Sequence, residues 1–157
     1  MAIEIRPYRD SDHAEVARVW YESSLSSVPG HEVRPNLHDE LFTRIPREIE
    51  AGWSLYVATN DCRVVGMLAL KLREKNLHEL FVDPPFQNRG VGKALLDFTK
   101  SRMPDGFWLT TMVVNRGARK FYEREGLVHK HDKPHPTHPE VMHSTYEWNP
   151  NPVRVPQ

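Results

Sequence analysis

The stretch Gln87-Asn88-Arg89-Gly90-Val91-Gly92-Lys93-Ala94 indicates the fold more strongly than any other part of the chain. It follows the strand-like run Leu77–Val82. It also opens an amphipathic helical pattern, whose apolar positions are Val91, Ala94, Leu95 and Phe98. Glycines at 90 and 92 permit positive φ and a close approach of the backbone, so successive amides can point at one anion. With the positive end of the helix, the stretch predicts a binding site for a pyrophosphate.

Two common phosphate-binding patterns, GxxxxGK[ST] and GxGxxG, do not occur at this spacing. The stretch resembles (Gln/Arg)-x-x-Gly-x-(Gly/Ala), the acyl-CoA pyrophosphate loop of the GNAT acyltransferase superfamily. A second segment, Asn115–Leu127, is similar to the N-x-x-A-x-x-F-Y-x-x-x-G-F block of the same superfamily. The resemblance is close over Leu77–Leu127, and the first third of the chain agrees only in its order of elements. Glutamine at 87 and leucine at 127 replace the commoner arginine and phenylalanine.

The resemblance implies an α/β fold in which a mixed, mainly antiparallel sheet carries helices on both faces. We expect a single GNAT-like domain over residues 1–148 and an irregular tail over residues 149–157, which holds three of the 13 prolines. Balanced charge, with 21 Lys+Arg against 21 Asp+Glu, provides no basic surface for nucleic acid. No apolar run approaches the ~18 residues of a membrane span, and no signal peptide is evident, so a cytoplasmic enzyme is expected.

Local patterns predict the remaining elements. Ile3–Arg6 alternates like a strand, and Asp12 with Glu15 forms a capping-box signature for the first helix. The segment Ser23–Asn36 is polar and turn-prone, and Pro46 should kink or split the second helix. Further strands are expected in five places: Ser54–Thr59, Val64–Leu72, Phe107–Val114, Leu127–Lys130 and Val141–Trp148. The first two should form a hairpin through residues 60–63.

The resemblance also implies which residues hold acetyl-CoA, the expected co-substrate. Backbone amides of the loop should bind the pyrophosphate, and the loop consists of Gln87, Asn88, Arg89, Gly90, Val91, Gly92 and Lys93. Main-chain groups of the preceding strand should pair with the pantetheine arm and polarise the thioester carbonyl, and these belong to Leu80, Phe81 and Val82. The second block adds Asn115, Ala118, Phe121 and Tyr122. Asn115 could contact the pantetheine arm or cap its helix, and both roles are compatible.

The implied reaction is direct attack of an amine on the thioester, without a covalent enzyme intermediate. A lysine-like amine with a pKa of about 10.4 costs roughly 4–5 kcal/mol to deprotonate at neutral pH, so a base is useful. His78 and Glu79 lie where GNAT enzymes often carry such a base, and strand alternation predicts that they face opposite ways. Tyr122 matches the residue that protonates the leaving thiolate in many members.

Five of the nine histidines, His129, His131, His135, His138 and His143, follow the second block. Prolines interrupt them and no cysteine joins them, so we expect no metal and instead a loop near the acceptor, or a solvated connection. Residues around the first helix, Trp20, Tyr21, His31 and Glu32, could also serve the acceptor side. Cys62 is expected to be an incidental thiol.

The acceptor itself is not encoded in these patterns. Because no long charged docking surface is evident, a small-molecule amine or amino-acid derivative is favoured. A peptide or protein N-acetyltransferase and a non-catalytic CoA-binding sensor remain alternatives, and a homodimer is possible. The sequence argues against the sensor, because such a domain would not need an intact pyrophosphate loop together with Asn115 and Tyr122.

Overall fold

The computed structural model describes residues 1–28 and 30–151. The predicted turn-prone segment Ser23–Asn36 and the predicted irregular tail therefore fall partly outside the described residues. The chain divides into two compact units, Met1–Thr99 and the residues from Lys100 onward. In the first unit, β1 (Glu4–Pro7), α1 (His13–Ser27) and α2 (Leu37–Glu50) precede three strands and the start of a helix. These are β2 (Ser54–Asn60), β3 (Arg63–Lys71), β4 (Asn76–Val82) and α3 (Val91–Arg102).

The strands of the first unit pair antiparallel in the order β1-β2-β3-β4. Alternate residues of β3 serve opposite faces of this sheet. Met67 and Ala69 join the apolar cluster of α1 and α2, whereas a Cβ at Gly66 would lie 3.0–3.2 Å from side-chain carbons of Leu95 and Val91 on α3. Helices thus cover both faces, and the predicted α/β class with a mainly antiparallel sheet is confirmed.

The second unit contains β5 (Phe107–Met112), α4 (Arg116–Arg124), β6 (Val128–Pro134) and β7 (Met142–Trp148). β7 pairs antiparallel with both β5 and β6, so it is the middle strand of this unit. β6 ends four residues later than predicted, since cross-strand pairing with β7 continues to Pro134. Asp132 lies in this extension and accepts a hydrogen bond from the Ser144 hydroxyl at 2.6 Å.

The predicted hairpin between β2 and β3 is confirmed. Asp61 and Cys62 form a two-residue connection with φ of 51° and 64°, the left-handed values that a tight antiparallel hairpin requires. Cys62 is exposed in this turn.

Two predictions about the first helix are wrong. Asp12 does not cap α1, because its carboxylate binds the Arg6 guanidinium at 2.8 and 2.9 Å and the Arg9 amide at 2.8 Å. Glu15, its expected partner, accepts a hydrogen bond from the Val64 amide at 3.0 Å. The first helix also continues to Ser27, into the segment expected to be a loop.

The second helix is continuous from Leu37 to Glu50 despite Pro46. A proline has no backbone N–H, so inside a helix the carbonyl four residues earlier loses its usual donor. For Pro46 this carbonyl belongs to Phe42. The His13 Nε2 atom lies 2.6 Å from that carbonyl oxygen, and the His13 ring stacks on the Phe42 ring at 3.8 Å. A side chain of α1 therefore replaces the missing backbone donor and keeps α2 in one piece.

Candidate active site

The loop between β4 and α3 has the expected positive φ at Gly90 but not at Gly92, which lies inside α3. Asn88 and Gly90 have φ of 61° and 89°, and α3 begins at Val91. The first turn of a helix has amides with no acceptor inside the helix, which is the arrangement that binds anions. A Cβ at Gly90 would meet nothing within 4 Å, so the loop borders open space. This geometry fits a pyrophosphate.

Other groups of the loop are already engaged. The Gln87 amide donates to the Pro84 carbonyl at 3.2 Å, and its side-chain Nε2 donates to the Val82 carbonyl at 3.1 Å. The Lys93 ammonium lies 3.0 Å from the Asp97 carboxylate, and the Arg89 guanidinium lies over the Phe86 ring at 5.4 Å. Both basic side chains lie at the loop, and Lys93 forms an ion pair with a carboxylate of the same helix.

His78 and Glu79 do not face opposite ways, contrary to the alternation expected from a regular strand. The β3–β4 register shifts between Ala69 and Leu70, where Glu79 is opposite Ala69 and Leu77 is opposite Leu70. His78 is the extra residue of this irregularity, and a bulge of this kind re-aims a side chain. Both residues consequently lie on the face covered by α1 and α2.

Trp53, which the sequence analysis did not single out, fixes the state of His78. Its indole Nε1 lies 2.6 Å from the Nδ1 atom of His78, and an indole nitrogen can only donate. Nδ1 must therefore accept, which leaves the proton of the neutral ring on Nε2. Burial, with a smaller contribution from the positive charge of Lys71, lowers the pKa of His78 and favours this neutral form.

Glu79 has a strongly raised pKa. Its residue surface is partly exposed, but its carboxyl group is enclosed by protein, and this burial raises the pKa of Glu79 to about 7. Three charges act on it in addition: Arg44 and Lys71 lower the pKa, and Glu48 raises it. A carboxylate poised near neutral pH is suited to general base chemistry. Its neighbours on α2 were not predicted, because they are far from it in sequence.

The same side chains of α2 line an open cleft of about 620 Å³. Arg44 and Glu48 belong both to this cleft and to the surroundings of Glu79. The Arg44 guanidinium lies over the Trp20 ring at 5.0 Å and 3.6 Å from Glu48. Trp20 itself is 3% exposed and belongs to the apolar cluster. It therefore packs under the Arg44 side chain and is not a free surface residue.

The second sequence block, Asn115–Leu127, lies in the second unit and contains α4. Asn115 caps this helix, because its Oδ1 accepts a hydrogen bond from the Ala118 amide at 3.1 Å. Tyr122 is buried, and its ring lies 5.2 Å from that of Phe121 and 6.2 Å from that of Tyr146. The capping role expected of Asn115 is present, while the roles of Ala118, Phe121 and Tyr122 toward a ligand stay predictions.

The histidines of the second unit do not gather around a metal. His135 contacts the rings of His138 and His143 at 5.3 and 5.1 Å, and His129 binds Asp132 at 2.7 Å. Within residues 1–28 and 30–151, no three His, Cys, Asp or Glu side chains are grouped so that they could hold a metal ion. No helix in those ranges is long and apolar enough to cross a membrane.

Comparison with known proteins identifies the family. Residues 18–127 match the Acetyltransferase (GNAT) family. The chain therefore belongs to the GNAT acetyltransferases, and it is an acyl-CoA-dependent N-acetyltransferase.

Three relatives show how far the similarity extends. Peptidyl-lysine N-acetyltransferase YjaB of Escherichia coli K12 is 30% identical over 132 residues, which are 81% of this chain and 83% of that protein. Its apo solution structure has a TM-score of 0.74 at 23% identity and covers 94% of this chain and 98% of its own. The uncharacterized N-acetyltransferase MJ1207 of Methanocaldococcus jannaschii is 36% identical over 74 residues, which are 45% of this chain and only 32% of that protein. This chain thus matches about a third of that relative's length.

A structure with bound coenzyme A shares the fold. The PaiA N-acetyltransferase of Thermoplasma acidophilum, solved in complex with coenzyme A, has a TM-score of 0.70 at 20% identity and covers 94% of this chain and 100% of its own.

Proposed function

We propose that this protein transfers the acetyl group of acetyl-CoA to a primary alkyl amine by direct attack within a ternary complex. The observation that carries the mechanism is the enclosed carboxyl group of Glu79, with a pKa of about 7, on the strand that leads into the anion-binding loop. Glu79 accepts the ammonium proton. The amine nitrogen then attacks the thioester carbonyl carbon and the C–N bond forms. The C–S bond breaks, the CoA thiolate leaves, and the nitrogen releases its second proton to solvent as the amide forms.

Glu79 is preferred to His78 as the base because of their hydrogen bonds. A general base needs a free lone pair, and the unprotonated nitrogen of His78 already accepts from Trp53. The remaining nitrogen of His78 carries a proton and can donate. We therefore assign His78 the role of orienting an acceptor or a water molecule, and Glu79 the role of removing the proton.

The donor half of the proposal follows the backbone. Amides of residues 88–93 bind the pyrophosphate, since the Gln87 amide is engaged by the Pro84 carbonyl, and main-chain groups of residues 80–82 hold the pantetheine arm and the thioester carbonyl. Tyr122 donates its phenolic proton to the leaving thiolate. A thiol has a pKa of about 8.5 and leaves readily, so this last contribution is the smallest of the three.

For the acceptor, we propose a small-molecule amine or amino-acid derivative that enters through the cleft along α2. Its lining carries both signs of charge, with Asp39 and Glu48 beside Arg44 and Arg47, which suits an acceptor bearing both an ammonium and an anionic group. A peptidyl-lysine acceptor is the second candidate, favoured by the 30% identity to peptidyl-lysine N-acetyltransferase YjaB. Both present the same primary amine to Glu79.

The mechanism is tested by Glu79→Gln, which keeps the shape and removes the base. We expect kcat/KM to fall about 10²–10⁴-fold while acetyl-CoA affinity, measured by calorimetry, stays unchanged. In the wild-type enzyme kcat/KM should rise with pH through about 7, and this limb should vanish in the variant. The matched control is Glu50→Gln. Glu50 is an exposed residue at the end of α2, the helix that lines the cleft. Equal activity of both variants would remove Glu79 from the mechanism.

The acceptor is tested by release of the CoA thiol in two panels. One contains free amines and amino-acid derivatives, and the other contains lysine peptides with blocked N-termini. Turnover confined to the free amines supports the first candidate, and turnover confined to the peptides supports the second. No thiol release with either panel, despite acetyl-CoA binding, would overturn the proposed amine transfer.

A further inference from the structure

A fully buried carboxylate lies at the end of β4, one short turn before the loop 87–93, which we call the donor loop. Asp83 has 0% exposed surface and lies between the end of β4 and the turn Pro84–Phe86. The Arg18 guanidinium of α1 donates to both of its oxygens, at 3.2 and 3.3 Å. The Arg63 guanidinium of β3 lies 3.6 Å away. A buried charge persists only when paired in this way, and the bond from Asp83 in turn raises the pKa of Arg18.

The backbone of Asp83 is fixed as firmly as its side chain. Its amide donates to the Val65 carbonyl at 2.9 Å, and its carbonyl accepts from the Phe86 amide at 2.8 Å. The first bond extends the pairing of β4 with β3, and the second closes the turn. Asp83 therefore determines the direction in which the chain leaves the strand and enters the loop.

The contacts of Asp83 also reach a basic group of the loop. The Arg63 guanidinium, held at Asp83, lies over the Phe86 ring at 5.5 Å, and the Arg89 guanidinium lies over the same ring at 5.4 Å. Phe86 is the last residue before the loop. Loss of the Asp83 carboxylate would leave Arg18 with Glu22 alone and would free Arg63, which packs on Phe86.

We propose that Asp83 is a positioning residue for acyl-CoA binding, which acts through Arg18, Arg63 and Phe86 to hold the pyrophosphate loop in its binding conformation. This inference rests on the proposed placement of the donor at residues 87–93. It assigns Asp83 no contact with the reacting atoms. Its effect is therefore specific for donors that carry the pyrophosphate, and it acts on KM for the donor rather than on kcat.

The test compares two donors in the same variant. Acetyl-CoA carries the 3′-phospho-ADP group, and S-acetyl-pantetheine lacks it but has the same thioester. In Asp83→Asn we expect the donor KM for acetyl-CoA to rise about 10- to 100-fold, since small displacements of binding groups cost this much. The kcat at saturating donor and the kcat/KM for S-acetyl-pantetheine should change less than about threefold. Calorimetry with CoA should show the same loss without relying on turnover.

The matched control is Asp12→Asn. Asp12 is 5% exposed and binds Arg6 through both oxygens, so this variant also removes a buried Asp–Arg pair from the first unit, but at the start of α1 and away from Asp83 in the chain. We expect it to lose stability without changing the preference between the two donors. Arg18→Lys, which keeps the charge and loses the two-pronged contact, replaces Asp83→Asn if that variant does not fold.

The outcomes separate this inference from the proposed function. An equal loss with both donors, or an unchanged KM for acetyl-CoA, overturns the positioning role of Asp83. Absence of CoA binding in the wild-type protein overturns the placement of the donor itself. A selective rise of the KM for acetyl-CoA in Asp83→Asn, with no such rise in Asp12→Asn, supports the inference.

Discussion

The donor loop and the strand before it are neighbours in the chain, yet they prepare their chemistry in different ways. In residues 87–93 the anion site is made by backbone geometry, with left-handed φ at Asn88 and Gly90 and the start of a helix at Val91. In β4 the site depends on side chains whose protonation is fixed by their surroundings. His78 is held neutral beside Trp53, and Glu79 has a pKa of about 7 because its carboxyl group is buried.

This difference predicts two patterns of sensitivity. Backbone amides do not titrate, so donor binding should depend weakly on pH and strongly on the residue type at Gly90. Conservative substitutions of side chains in β4 should leave its backbone unchanged. Donor binding should therefore be retained in such variants, while the pH dependence of turnover shifts. Variants that affect the two properties together would show that the regions are not separable.

The largest effect on donor binding is expected for Gly90→Glu. The new carboxylate would lie at the loop that binds the pyrophosphate, and the left-handed φ of 89° adds backbone strain. We expect acetyl-CoA affinity, measured by calorimetry, to fall about 100-fold, which corresponds to about 2.7 kcal/mol. Gly30→Glu is the control, because Gly30 has the same φ of 89° and the same free space for a Cβ. A similar loss in both variants would place the donor elsewhere.

A smaller effect is expected for Trp53→Phe, which keeps an aromatic ring and removes the donor to His78. Since the indole N–H stabilises only the unprotonated Nδ1, its loss should raise the pKa of His78. Titration of the imidazole by NMR measures this directly, while acetyl-CoA affinity should stay constant. Trp20→Phe is the control in the same apolar cluster. An unshifted pKa in Trp53→Phe would contradict the proposed tautomer.

The charges of α2 should shift the pH profile in opposite directions. Arg44 lowers the pKa of Glu79 and Glu48 raises it, while Lys71 acts like Arg44 from β3. Arg44→Gln should therefore move the acidic limb of kcat/KM toward higher pH, and Glu48→Gln toward lower pH, each by less than about one unit. Shifts of the same sign in both variants would mean that the limb does not report Glu79.

The donor loop could be predicted from the sequence because its function is encoded locally. A glycine-punctuated turn after a strand and before an amphipathic helix is visible within a few neighbouring residues, and the second block supports it at the expected distance. The α/β class and the β2–β3 hairpin followed from equally local patterns. Such features need no knowledge of what packs on them.

The base region could be predicted only in part, because its geometry depends on distant residues. The irregular β3–β4 register, which brings His78 and Glu79 to one face, is a property of strand pairing and has no signal within β4 alone. The hydrogen bond from Trp53 spans 25 residues, and the ion pair of Asp83 with Arg18 spans 65. The prediction that Pro46 splits the second helix was wrong for the same reason. The hydrogen bond that Pro46 cannot make to the Phe42 carbonyl is replaced by His13, which lies on another helix.

The smallest effect is a gain of stability in Glu79→Gln. Burial raises the pKa of Glu79 from the ordinary 4.5 to about 7, so the folded protein binds more protons than the unfolded chain between these values. Stability then falls as pH rises through this window and stays lower above it. Glutamine is neutral throughout and avoids the cost of a buried charge. Because part of the residue is exposed, solvent reduces this cost, and we expect Tm to rise only about 2–4 °C at pH 8.

At pH 4.5, where the carboxyl group is largely protonated in the folded protein, the Tm of Glu79→Gln should equal that of the wild-type protein. Glu50→Gln, at an exposed position, should show no difference between the two pH values. Thermal unfolding of the three proteins at both pH values measures the effect without any substrate. A variant that is inactive yet more stable at pH 8 would mean that the protein keeps a destabilising carboxylate in β4 for its chemistry, whereas a lower Tm at pH 8 would show that Glu79 is held ionised by its partners and is not poised as a base.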